Sequence, residues 1–88
     1  MIQPTRTTTS SALLTGDYII SKVILNGGSA ASSVILDDST DGTGTSKLKL
    51  KALANDSNVV NIPEGIRFST GVYATLDGSG AEVYVYYK

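Results

Sequence analysis

The stretch from Ile62 to Lys88 leaves this chain little choice of fold class. Apolar residues recur at every second position on both sides of Asp77-Gly78-Ser79-Gly80. That period belongs to a strand with one buried face, and the Gly-rich tetrapeptide is turn chemistry, so the stretch predicts an antiparallel hairpin. Ile66 and Phe68 share a face, as do Val72, Ala74 and Leu76, with Ser69-Thr70-Gly71 between them as a bulge or bend. In the last strand Val83, Val85 and Tyr87 are assigned inward, and Glu82, Tyr84, Tyr86 and Lys88 outward.

The rest of the chain has the same grain. Met1 to Ala12 holds Pro4 and the polar, β-branched run Thr5-Arg6-Thr7-Thr8-Thr9. It reads as an extended N-terminal arm, assigned with its junction to residues 1–14, and residues 15–88 form the domain. Asp17 to Asn26 is a strand apolar on both faces, Tyr18, Ile20, Lys22 and Ile24 against Ile19, Ser21, Val23 and Leu25. Such a strand sits centrally or beside a partner. Asn26-Gly27-Gly28-Ser29 ends it, and Ser32 to Asp37 is the next strand. From Ser46 to Leu53, Leu48, Leu50 and Ala52 alternate with Lys47, Lys49 and Lys51, a lysine row of the kind that protects an edge strand. Val59 to Ile62 is a short strand closed by a turn at Pro63-Glu64-Gly65.

Little in the composition supports a reaction. There is no Cys and no His, so a conventional triad, a thiolate metal site and the commonest general base are all missing. The carboxylates Asp37, Asp41, Asp77 and Glu82 are available in principle for glycosidase chemistry. The three aspartates lie in turns that already account for them. Asp37, Ser39, Asp41 and Gly42 match the start of a calcium-loop pattern, but the position of the closing bidentate Glu is Leu48; a solvated hairpin loop explains the same residues. The expectation is no enzyme, no cofactor and no bound metal. A net charge of −1 with 17% charged residues offers no basic face for nucleic acid. The longest nearly apolar run, Tyr18 to Leu25, is too short to cross a bilayer, and no leader is visible at the N-terminus.

A resemblance carries the reading further. Gly65-Ile66-Arg67-Phe68-Ser69-Thr70-Gly71-Val72-Tyr73-Ala74-Thr75-Leu76, a Gly-rich turn and Ala81-Glu82-Val83-Tyr84-Val85-Tyr86-Tyr87 resemble small structural proteins of tailed bacteriophages. Leu25-Asn26-Gly27-Gly28 and the Asp/Gly/Thr-rich loop before Lys47 are similar in layout. The resemblance implies a virion component made in the host cytoplasm: a capsid decoration, or cement, protein. It would bind the major capsid protein and copies of itself, as a homo-oligomer such as a trimer. A tail- or fibre-associated module that recognises host glycans is the alternative it implies.

The expected fold is therefore all-β, a small antiparallel β-sandwich or jelly-roll-like domain of about six or seven strands with an N-terminal arm. The expected partner surface comprises Thr5, Arg6, Thr7, Thr8 and Thr9 of the arm, together with Tyr73, Tyr84 and Tyr86.

Overall fold

The computed structural model describes residues 2–88; Met1, the first residue of the expected arm, lies outside them. Eight strands follow one another: β1 (Gln3–Thr7), β2 (Ser11–Thr15), β3 (Tyr18–Asn26), β4 (Ser32–Asp38), β5 (Thr45–Ala52), β6 (Ser57–Phe68), β7 (Gly71–Asp77) and β8 (Glu82–Tyr87). They form two four-stranded antiparallel sheets, ordered β1-β8-β3-β6 and β2-β7-β4-β5. This is a sandwich with the strand order of an eight-stranded jelly roll. Its core is supplied by the alternating apolar positions of both sheets. Ile20, Leu25 and Phe68 of one sheet and Leu36 and Val72 of the other are fully buried. Each such side chain contributes about 1.5–3 kcal/mol relative to its exposed state.

The inward set assigned to the C-terminal stretch holds, but the hairpin does not. Phe68, Val72, Ala74, Val83 and Val85 are buried, and Leu76 packs against them. Yet β7 pairs with β2 and β4, whereas β8 pairs with β1 and β3. Asp77-Gly78-Ser79-Gly80 is thus an arch from one sheet to the other. Gly-rich turn chemistry serves an arch as well as a hairpin, and closing the core requires the arch. Ser69-Thr70 is likewise a corner between sheets. Pro63-Glu64-Gly65 is not a turn between strands: residues 62–65 of β6 stand opposite Ser21 alone, a special bulge of four residues against one in which Gly65 takes φ +78°. The pieces read separately as Val59–Ile62 and Ile66–Phe68 are one strand.

The N-terminal segment also departs from expectation. Instead of leaving the domain, Gln3–Thr7 pairs with β8 along its whole length and Ser11–Thr15 pairs with β7. Backbone groups beside an open sheet edge gain a full ladder by joining it, and the β-branched threonines suit a pleated surface. The two-faced character of β3 has a double cause. It is central, between β8 and β6, and a bulge at Ser21 exchanges its faces, so that Ile20, Val23 and Leu25 all point inward.

One end of the sandwich is closed by backbone. Gly27 N donates to Asp56 O at 2.7 Å, Asn55 N to Gly28 O at 2.8 Å and Ser29 N to Ser79 O at 3.0 Å. The β3–β4, β5–β6 and β7–β8 connections are stitched together there. A Cβ on Gly28 would lie 2.1 Å from Ser79 O and 2.4 Å from the Gly80 carbonyl carbon, and backbone on both sides cannot yield cheaply. Gly28→Ala is expected to cost about 1–3 kcal/mol in urea unfolding, whereas Ser29→Ala in the same loop leaves the midpoint nearly unchanged.

Candidate interaction surface

The outer face of the β1-β8-β3-β6 sheet is built by the alternation in β8. Because Val83 and Val85 are wholly buried, Glu82, Tyr84 and Tyr86 project from the opposite side. Register then decides their neighbours. Tyr84 lies between Arg6 of β1 and Ile24 of β3, and Ile24 is followed by Val59 of β6. Tyr86 lies between Pro4 and Lys22, and Lys22 is followed by Asn61. Two rows therefore cross the whole sheet. The Arg6 guanidinium carbon is 5.7 Å from the Tyr84 ring centroid, and Lys22 Nζ is 5.6 Å from that of Tyr86; both are cations over aromatic faces. A groove of about 450 Å³ adjoins the Tyr86 row, lined by Ile2, Ile62, Pro63 and Lys88 among others.

A third row is polar and fully engaged. Arg6 Nε and Nη2 donate to Glu82 Oε2 at 3.0 and 2.6 Å, Asn26 Nδ2 donates to Glu82 Oε1 at 3.0 Å, and Ser57 Oγ donates to Asn26 Oδ1 at 2.7 Å. The hydrogen bond from Arg6, then that from Asn26, holds the Glu82 carboxyl below its usual range. The relay links all four strands and keeps Arg6 over Tyr84.

The residues expected at a partner surface are thus divided. Arg6, Tyr84 and Tyr86 come together on this face. Thr5 and Thr7 are half-buried opposite Val85 and Val83 on the other side of the sheet, and Thr7 Oγ1 donates to Thr9 O at 2.8 Å. Thr8 and Thr9 are exposed at the corner between β1 and β2. Tyr73 lies on the other sheet, its ring so near Gly42 that a Cβ there would sit 3.0 Å from Cε1. Sequence reasoning missed Lys22, Ile24 and Val59 as members of the surface. The apolar character of both β3 faces was the signal for Ile24; nothing local marks Val59, which is 47% exposed.

Across the molecule, the loop between β4 and β5 uses its oxygens internally. Asp37, 5% exposed, accepts from Ser46 Oγ at 2.7 Å, Ser39 Oγ accepts from Gly42 N at 3.0 Å, and Asp41 Oδ1 accepts from Thr43 N and Oγ1. Among the described residues no group of three or more Asp or Glu converges. Asp38, which the calcium pattern passes over, is the organising residue. Its carboxylate accepts from Ser69 N, Ser69 Oγ, Thr70 N and Gly71 N across the β6–β7 corner, with Lys47 Nζ at 3.6 Å. Lys47 leaves the outward lysine row because the β4–β5 register shifts beside it; it donates instead to Arg67 O at 2.7 Å.

Set against known protein families, curated proteins and solved structures, the chain matches none of them.

The backbone N–H groups, that of Thr70 foremost, lower the Asp38 pKa from 3.8 to about 2. Since the folded-state value lies below the unfolded one, this interaction is fully stabilising above pH 3.8 and fades as pH falls toward 2. In melts between neutral pH and pH 2, Asp38→Asn is expected to be less stable at neutral pH and to lose less stability than wild type on acidification.

Proposed function

We propose that this chain is a structural protein of a tailed-phage virion, a decoration (cement) protein whose β1-β8-β3-β6 outer face docks on the capsid shell. The observation that carries the reading is the row Arg6-Tyr84-Ile24-Val59, beside Tyr86. It is an aromatic and aliphatic band with an arginine on an exposed sheet face, the composition of an interface core. The resemblance of Gly65–Leu76 and Ala81–Tyr87 to phage structural proteins supplies the setting.

Size argues for action in numbers. Strands about 4.8 Å apart and same-face residues about 6.8 Å apart give a patch on the order of 400 Å², well short of the roughly 800 Å² per partner of a standard interface. A single copy binds weakly, and self-association into a homo-oligomer multiplies the contact through effective concentration. A glycan-binding reading of Tyr84 and Tyr86 is disfavoured because Arg6 and Lys22 already occupy one stacking face of each ring.

Binding to shells stripped of the protein tests the proposal. Tyr84→Ala and Tyr86→Ala are each expected to weaken attachment roughly thirty-fold, about 2 kcal/mol, with the fold retained by circular dichroism. Binding to host cells or glycans, lost in the same variants, would replace this reading with a receptor-binding module. Wild-type protein that ignores the shell would end it.

A further inference from the structure

The two sheets have four edges, and three carry a device against pairing. In β1 it is Pro4; in β5 it is the lysines Lys49 and Lys51; β2 is five residues long with a register shift at Leu13. The C-terminal half of β6 is similarly blocked, by Pro63, by the bulge ending at Gly65 and by Lys47 bound to Arg67 O. The N-terminal half of β6 has nothing of the kind. Ser57-Asn58-Val59-Val60-Asn61-Ile62 has no charge and no proline, and Val59 is 47% exposed. Among the described residues, the backbone of Asn58–Ile62 makes no hydrogen bond besides those of its β3 ladder.

We infer that this open edge pairs with its own copy, antiparallel across a two-fold axis normal to the sheet and centred on Val59. The occupant follows from self-complementarity. An axis normal to the sheet keeps outer face on outer face, so paired residues must share a face. With Val59 opposite itself, Ser57 meets Asn61 on that face, polar against polar. The absence of charge from residue 57 to residue 62 means that no like charges face each other within the ladder. The band Arg6-Tyr84-Ile24-Val59 then continues without a break into Val59-Ile24-Tyr84-Arg6 of the second copy, and the two sheets become one of eight strands. A ladder of five residues, about 17 Å long, is a small contact, so the dimer forms at high local concentration, as on any surface that gathers copies. This pairing does not depend on the virion reading; it is a property of the free protein.

A charge exchange at the axis tests it. Sedimentation from micromolar to millimolar wild-type protein is expected to show reversible dimerisation, and amide NMR shifts that move with concentration should centre on residues 57–61. Val59→Lys and Val59→Glu, each checked for folding by circular dichroism, should remain monomers because like charges then face each other. An equimolar mixture of the two should dimerise. Wild-type protein that stays monomeric to millimolar concentration overturns the inference, as does undiminished association of Val59→Lys alone. So does a mixture no more associated than its components.

Discussion

Everything in this molecule depends on closing one core between two sheets that the chain enters alternately. Among the described residues, only the β4–β5 connection joins neighbours in the same sheet; the other connections pass over the core to the opposite one. Neither sheet is therefore a contiguous piece of chain, and neither can bury its apolar face before the other is in place. Fully buried residues such as Phe68, Val72, Val83 and Val85 come from strands consecutive in sequence yet lying in opposite layers. Folding must close long loops before the core repays them, the condition for slow and cooperative assembly.

The two ends of the sandwich solve the crossing problem by different chemistry. At one end, glycine lets main chain meet main chain, and the Gly27-Gly28 loop exchanges hydrogen bonds with the two connections beside it. At the other, a carboxylate does the work: Asp38, at the end of β4, accepts four hydrogen bonds from Ser69, Thr70 and Gly71 as the chain leaves β6 for β7. Both solutions satisfy backbone donors that a corner would otherwise leave unpaired.

With core and corners fixed, the outer face of the β1-β8-β3-β6 sheet follows from register. Tyr84 and Ile24 are neighbours because β8 runs beside β3, and the Ser21 bulge is what turns Ile24 outward while Ile20 and Val23 both stay in the core. The Arg6-Glu82-Asn26-Ser57 relay then ties the same four strands together on the surface, so the band beside it is held by the fold and does not need a partner to form.

Residue pattern was enough to read the fold class and the identity of most core residues, because a period of two states which side of a strand is apolar without reference to any neighbour. It also pointed to Tyr84 and Tyr86, as polar-tipped residues on the solvent side of an alternating strand, and to Arg6 only as part of an extended N-terminal arm. It did not determine which strand lies beside which. Backbone ladders are nearly indifferent to side chains, and Asp77-Gly78-Ser79-Gly80 serves an arch between sheets as readily as a hairpin within one. Tertiary structure made that choice, through the volume that must be filled between Phe68, Leu36 and their neighbours. It drew the N-terminal segment into both sheets, sent Tyr73 to the far side, and placed Val59, unremarkable in the sequence, at the open edge of the aromatic face.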